Sequence, residues 1–179
     1  MFTPEWARFE RIAEALTTGA ALGSAAFFVL APGVVAGVVP WALTGWDAGS
    51  APGIVRVAGA ALTVAGAAIV VAEFARFVRE GRGTPAPVAP TERLVVGGLY
   101  RYVRNPMYLG VGTTIVGQAL LLARPVLALY AAVFFAVVAT FVRLYEEPAL
   151  VGQFGAEYEA YRRAVPAWRP RLRPWAGPP

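Results

Sequence analysis

Long uncharged stretches alternate with short arginine-rich segments along the chain. Four stretches contain no charged residue: 15–46, 57–72, 107–123 and 125–142. A helix needs ~20 apolar residues to cross the hydrocarbon core, and arginine stems at the ends of a slightly shorter stretch lengthen it by snorkelling. The pattern therefore predicts an all-α integral membrane protein with four transmembrane helices.

The first stretch is longer than one upright helix requires, because a helix rises about 1.5 Å per residue. We expect a break at Pro32-Gly33, since proline interrupts the helical hydrogen bonds. The remainder, which includes Trp41 and Trp46, is interpreted as a kinked or interfacial extension. A fifth, partial span in 33–46 is the alternative. Acidic residues before this stretch argue against a cleaved signal peptide.

The positions of the arginines predict the orientation. All basic residues are arginine, and only Arg56 and Arg124 lie on the side of the predicted bundle opposite to the rest. The positive-inside rule then places both termini and the middle loop in the cytoplasm, and we expect a bacterial inner membrane. Only Arg124-Pro125 separates the third and fourth stretches, so these two helices are predicted to form a tight antiparallel hairpin.

The chain is accordingly interpreted as one membrane domain over 1–179. The last segment is expected to be helical to Phe154, to stop at Gly155 and to form a second short helix over 156–165. The predicted segments are span one with its extension at 12–46, span two at 54–78, a cytoplasmic loop at 79–104, span three at 105–123, span four at 125–143 and a cytoplasmic tail at 144–179.

The amino-acid composition indicates a membrane protein and excludes several kinds of catalytic site. Apolar residues make up 58% of the chain and charged residues 15%, against about 45–50% and 25% in soluble domains. The chain has no cysteine and no histidine, which excludes thiol chemistry, Cys/His zinc sites and imidazole triads, and no metal is expected. The net charge of +5 predicts anionic lipid headgroups rather than nucleic acid as the binding partner, because the arginines flank apolar spans. The oligomeric state does not follow from the sequence.

Two clusters of polar residues flank the predicted hairpin, at 97–112 and 143–148. The hairpin makes them neighbours on one membrane face. S-adenosyl-L-methionine would fit between them: arginine holds its carboxylate, glutamate its ammonium or ribose, and tyrosine stacks on adenine or faces the sulfonium. Gly110 and Gly112 would leave room for the ligand. Methyl transfer needs mainly alignment and desolvation, hence no metal and no histidine.

Each of these features also has a structural explanation. Glycines on membrane helices commonly serve packing, interfacial tyrosines form aromatic belts, and arginines flank spans. Glu146 and Glu147 are harder to explain this way, because carboxylates at the end of a span are costly unless partnered; a salt bridge to arginine is the alternative. Glu73 is expected to pair with Arg76 through helical spacing. The tyrosines expected only to pack the tail are Tyr158 and Tyr161.

A series of motifs resembles a known family. Tyr102-Val-Arg-Asn-Pro-Met-Tyr-Leu-Gly110, Gly117-Gln118 and Arg124-Pro125 are followed by Arg143-Leu-Tyr-Glu-Glu147, Phe154-Gly-Ala-Glu-Tyr-Glu-Ala-Tyr161 and Val165-Pro166. In this order they resemble the isoprenylcysteine carboxyl methyltransferases and the related phospholipid methyltransferases, over about 97–166. The resemblance implies an S-adenosyl-L-methionine site enclosed by the last two spans and the tail, and a lipophilic or lipidated acceptor that enters from the bilayer.

The resemblance also implies site residues. Arg104, Asn105 and Glu147 are the expected catalytic residues, with Asn105 in the place of the family's usual histidine. Adjacent helical residues point about 100° apart, so one of the two glutamates, for which we favour Glu147, is expected to bind the cofactor while the other braces Arg104 or Arg143. The expected cofactor site comprises Tyr100, Arg101, Arg104, Asn105, Pro106, Tyr108, Gly110, Gly112, Glu146 and Glu147.

Two other functions remain open on the sequence alone. A membrane reductase of the sterol-reductase type has a similar C-terminal architecture but uses NADPH. A non-catalytic membrane protein is the third hypothesis. The acceptor is not identified, and O-, N- and S-methylation are all compatible with the residues present.

Overall fold

The computed structural model describes residues 31–81 and 94–177, and these residues form helices without any strand. Two helical segments are long and apolar enough to cross a membrane, Gly53–Arg76 and Pro125–Phe154. The all-helical class is thereby confirmed, with two candidate spans. Residues 12–30 of the predicted span one and residues 82–93 of the middle loop lie outside the described residues. The helices are α1 (Ala31–Thr44), α2 (Gly53–Gly81), α3 (Pro106–Leu122), α4 (Pro125–Phe154) and α5 (Ala156–Ala164).

The chain is helical at Gly33 (φ −66°, ψ −41°), and the break predicted at Pro32-Gly33 stays a prediction, because the residues before Ala31 lie outside the described part of the chain. Within the described residues, α1 has one irregularity, a π-helical turn at Val34–Val38, two residues before Pro40. A proline inside a helix removes a donor and clashes with the carbonyl of residue i−4. The wider turn accommodates that clash. Helix α4 has the same arrangement, a π-turn at Val142–Glu146 two residues before Pro148.

The π-turn of α1 leaves two carbonyls that neighbouring helices satisfy. The Gln118 amide of α3 donates to the Ala36 carbonyl over 2.7 Å, and the Tyr130 hydroxyl of α4 donates to the Val35 carbonyl over 2.8 Å. A carbonyl without a partner is costly in an apolar environment. The irregular turn thus ties α1 to the hairpin.

Helices α2 and α3 pack antiparallel through four glycines, which we call the glycine interface: Gly59, Gly66, Gly110 and Gly117. A Cβ on Gly66 would lie 2.6 Å from the Gly110 carbonyl oxygen, and one on Gly117 would lie 2.8 Å from that of Gly59. The pairs are spaced seven residues apart on each helix. Such close backbone approach requires the absence of side chains, as in membrane helix pairs.

The connection between α3 and α4 is as short as predicted, since α3 ends at Leu122 and α4 begins at Pro125. Ala123 adopts a left-handed conformation (φ 51°) that closes α3. The loop after α1 covers this end of the bundle: the Gly49 amide donates to the Leu122 carbonyl over 2.7 Å, and the Arg124 Nε donates to the Asp47 carbonyl over 2.9 Å.

The polar end of the chain folds against the start of α3. Helix α4 ends at Phe154, and Gly155 (φ 52°) turns the chain into α5, as the sequence predicts. Tyr158, Tyr161 and Val165 form a small buried core there. The following residues 165–177, which we call the C-terminal strap, run back along the segment before α3. The Arg171 amide donates to the Tyr102 carbonyl and the Trp175 amide donates to the Arg101 carbonyl, both over 2.9 Å.

Candidate active site at the start of helix α3

Arg104 joins three parts of the chain. Its Nη1 forms an ion pair with Glu147 of α4 and donates to the Tyr158 hydroxyl of α5 over 3.2 Å. Its Nε donates to the Val165 carbonyl over 2.9 Å, and its backbone amide donates to the Pro166 carbonyl over 2.9 Å. Only 12% of the Arg104 side chain is exposed. With all these donors engaged, Arg104 holds the strap and two helices together.

The two glutamates of α4 have different partners. Glu147 pairs with Arg104 and lies 3.6 Å from the Arg162 guanidinium of α5. Glu146 instead accepts a hydrogen bond from the Tyr108 hydroxyl over 3.0 Å, and it forms no ion pair within the described part of the chain. The bracing role predicted for one member of this pair is therefore taken by Glu147 rather than Glu146. The cofactor role favoured for Glu147 stays a prediction, and its carboxylate is already shared by two guanidinium groups.

Aromatic residues lie close to the Glu146 carboxylate, beginning with Tyr108, which donates to it. The Tyr108 and Trp168 rings lie 6.5 Å apart and are tilted by 39°. Burial is the main cause that raises the pKa of the Tyr100 hydroxyl well above its usual value, and the charges of Glu73 and Glu146 raise that pKa further. Tyr100 is therefore a neutral donor at physiological pH. The result is a carboxylate in a partly buried aromatic setting, which suits a cationic group.

Asn105 lies directly before α3 and is 6% exposed. Its Nδ2 donates to the Ala167 carbonyl of the strap over 3.1 Å. The donor that the sequence assigns to the cofactor thus contacts the strap in this structure. Arg101 also contacts the strap, since its Nε donates to the Trp175 carbonyl over 2.7 Å. Both residues close the site by holding residues 165–177 in place.

The remaining predicted residues serve helix geometry. Pro106 is the first residue of α3, where proline is favoured. A Cβ on Gly110 would lie 2.8 Å from Val70 of α2, and one on Gly112 would overlap the Phe135 ring of α4. Protein atoms fill the space that the sequence reserved for a ligand at both glycines. Their cofactor role stays a prediction, and helix packing accounts for them.

Three contacts were not expected from the sequence. Tyr158 packs in the tail core as predicted, yet its hydroxyl also accepts from Arg104. The Trp168 ring of the strap lies beside the Tyr108 ring of α3, which no motif in the sequence indicates. Glu73 pairs with Arg76 as predicted (3.7 Å), and it also accepts from the Leu99 amide over 3.4 Å. No local signal distinguishes these residues, because each role depends on segments that are distant in the sequence.

Comparison with known proteins identifies the family. The family model described as phospholipid methyltransferase matches residues 54–157, which is more than half of the chain. The chain belongs to the phospholipid methyltransferase family. The match begins at the start of α2, so the family relationship extends well before residue 97, where the recognisable motifs begin. It ends within α5 and leaves the strap outside the matched residues.

The family assignment confirms the predicted relationship to membrane methyltransferases and favours methyl transfer over the reductase and non-catalytic hypotheses. Neither the curated proteins nor the solved structures include a match to this chain. Within residues 31–81 and 94–177, no group of three or more acidic, histidine or cysteine side chains is arranged to hold a metal ion.

Proposed function

We propose that this protein transfers a methyl group from S-adenosyl-L-methionine to a lipophilic acceptor that enters from the bilayer. The proposal rests on the different partners of the two glutamates. The Glu146 carboxylate accepts a hydrogen bond from Tyr108 beside the Trp168 ring, whereas Glu147 forms the ion pairs with arginine. The residues present fit this cofactor, since it is a cation with an amine, a ribose and a flat base. When bound, it would supply an electrophilic methyl group.

The proposed roles follow from the contacts. Glu146 would accept from the cofactor ammonium or ribose, and the Tyr108 and Trp168 rings would contact the base or the sulfonium. The neutral Tyr100 hydroxyl would donate to the cofactor or the acceptor. Arg104 and Glu147 would position the strap and α4 without taking a proton. Exclusion of water by these segments would strengthen each electrostatic contact.

An apolar cavity supports the assignment of a lipophilic acceptor. It has a volume of about 410 Å³ and lies between the described parts of α1, α2 and α3. Its lining includes Ala36, Ala67, Val70 and Val111. Val111 is three residues beyond Tyr108 on α3, hence about 4.5 Å along the axis. We propose that the acceptor's apolar tail lies here while its nucleophile approaches Tyr108.

The proposal includes four spans, with α1 and α3 as the shorter ones and both termini in the cytoplasm. The antiparallel contact of α2 with α3 supports it, because the Arg76 end of α2 and the Arg104 end of α3 lie on one face. Reporter fusions after Pro90 and at the C-terminus should then report a cytoplasmic location, and a fusion near Gly49 an external one. A periplasmic C-terminus would contradict this arrangement.

Ligand titration tests the cofactor. We expect saturable binding of S-adenosylhomocysteine to the purified protein in detergent, measured by calorimetry, and no saturable binding of NADPH. The reverse result would support a reductase and contradict the proposal. The acceptor class is then found by lipid profiling of a deletion strain, in which one lipid species should lack a single methyl group and regain it on complementation.

A further inference from the structure

The C-terminal strap is unusual in composition. From Ala160 to the end of the chain there are five arginines and no acidic residue. Within the strap, Arg169 and Arg173 are exposed, and Leu172 between them is 100% exposed. Single exposed leucines are common on protein surfaces. Here, however, the leucine projects from a segment that bears arginines on both sides and tryptophans at both ends.

The strap's attachment leaves these side chains pointing away from the protein. Its backbone forms hydrogen bonds with the segment before α3. The Arg171 amide donates to the Tyr102 carbonyl, and the Trp175 amide donates to the Arg101 carbonyl. Pro170 and Pro174 alternate with the arginines and have no amide donor to satisfy. The inner side of the strap thus packs against the protein, whereas the side chains of Arg169, Leu172 and Arg173 are exposed and do not hold the strap in place.

The position of the strap indicates what these side chains meet. The segment that it covers leads directly into α3, an apolar helix whose neighbours α2 and α4 are long enough to span a bilayer. The strap therefore lies at the level of the lipid headgroups. Arginine binds phosphate bidentately, and an apolar side chain between arginines can enter the acyl boundary.

We propose that the C-terminal strap is an anionic-lipid docking surface. Arg169 and Arg173 bind lipid phosphates, Leu172 inserts among the acyl chains, and the membrane holds the strap closed over Arg104 and Asn105. Docking depends on the membrane placement of α3 but not on methyl transfer. Its consequence for the cofactor rests on the proposed function: anionic lipid should raise the affinity for S-adenosylhomocysteine, because the strap completes that site.

Trypsin offers a direct measure of strap closure. Trypsin does not cleave before proline, so Arg171–Leu172 is the only arginine bond within the strap that it can cut. The full-length protein is placed in nanodiscs of phosphatidylcholine, with or without phosphatidylglycerol, and release of the peptide 172–179 is followed by mass spectrometry without cofactor. Cleavage reports the open fraction when opening is fast. We expect markedly slower release in anionic discs, by roughly fivefold for each arginine that meets the surface.

Variants separate a docking surface from a general charge effect. The double variant Arg169→Gln/Arg173→Gln keeps the cleavable bond and should lose the protection by anionic lipid, whereas the double lysine variant should keep most of it. The matched control, Arg143→Gln/Arg163→Gln, removes two exposed arginines outside the strap and should behave like the wild type. Equal release from neutral and anionic discs would overturn the proposal, as would an equal loss of protection in the control.

Two further arms separate the remaining outcomes. Soluble glycerophosphoglycerol added to neutral discs should give no protection; protection would indicate a free-anion site and overturn membrane docking. Calorimetry with S-adenosylhomocysteine in both disc types then tests the coupling. Lipid-dependent protection without any cofactor binding would leave the docking surface intact and contradict only the proposed function.

Discussion

Two regions of the molecule join α3 to the rest of the chain, and they do so by different physical means. The glycine interface lies along the apolar length of α3, where backbones of α2 and α3 are in contact. The ionic cluster, formed by Arg104, Tyr108, Glu146, Glu147 and Tyr158, lies at the start of α3, where side chains from α3, α4 and α5 exchange hydrogen bonds.

The difference indicates which region has the groups that a polar ligand requires. Association at the glycine interface depends on close van der Waals contact, because lipid tails compete with any apolar side chain. The two hydroxyls there, of Thr63 and Thr114, already donate to the carbonyls of Gly59 and Gly110, and the close backbone contact leaves no space for a ligand. The ionic cluster is held by groups that are able to change partners, such as the carboxylate of Glu146. The first region therefore fixes the helices, and the second presents the chemistry.

The largest expected effect is at the glycine interface. In Gly59→Ala the new Cβ would overlap the backbone of Leu121, so α2 and α3 must separate along their length. We expect a loss of roughly 3 kcal/mol or more, seen as failure to purify a monodisperse protein in detergent. Gly152→Ala is the matched control, since nothing lies within 4 Å of its added Cβ. Equal melting temperatures for both variants would contradict the packing.

The second largest effect is expected at Glu147, the glutamate that pairs with Arg104. Glu147→Gln leaves the largely buried Arg104 without its carboxylate partner, and loss of one member of such a pair typically costs about 3–5 kcal/mol. We expect the low end, because 17% of the Glu147 side chain is exposed. Thermal unfolding in detergent should show the loss. In protein that remains folded, affinity for S-adenosylhomocysteine should change little. A large loss of affinity with normal stability would restore Glu147 as the cofactor ligand.

The neighbouring substitution should have the opposite profile. Glu146→Gln keeps the shape of the side chain and removes the charge, so affinity for a cationic cofactor should fall by roughly 1.5–3 kcal/mol. Stability should be nearly unchanged, because Tyr108 can donate to the amide oxygen. Calorimetry with S-adenosylmethionine, with unfolding measured on the same sample, separates the two glutamates. Full affinity in both glutamine variants would refute the proposed site.

The smallest expected effect is at Asn105. Asn105→Leu removes the donor to the Ala167 carbonyl and should cost about 1–2 kcal/mol of stability. Asn105→His offers a ring donor at similar reach and should keep both the strap contact and cofactor binding. Thermal unfolding and calorimetry of the three proteins test this. If the leucine variant matched the wild type in both measurements, Asn105 would have no role in holding the strap.

Local patterns were sufficient for much of the fold. The apolar stretches predicted helical segments, Arg124-Pro125 predicted the hairpin and Gly155 predicted the end of α4, because each depends on residues close together in the chain. The effect of Pro40 was not predicted, because the sequence does not show that a π-turn precedes this proline. Whether a proline bends, widens or ends a helix depends on the partners available to the displaced carbonyls, here Gln118 and Tyr130.

The candidate site divides in the same way. The sequence determined the helical class and the residue types that gather at the start of α3, since charge and aromatic character are properties of the residues themselves. Only the tertiary structure decided that Glu147 rather than Glu146 takes the arginines, that Gly110 and Gly112 face neighbouring helices, and that Asn105 holds the strap. The glutamate and Asn105 assignments depend on the rotation of α4 after its π-turn and on the path of the strap, and the glycine assignments depend on the packing of α3 against α2 and α4. All of these follow from contacts between segments that are distant in the sequence.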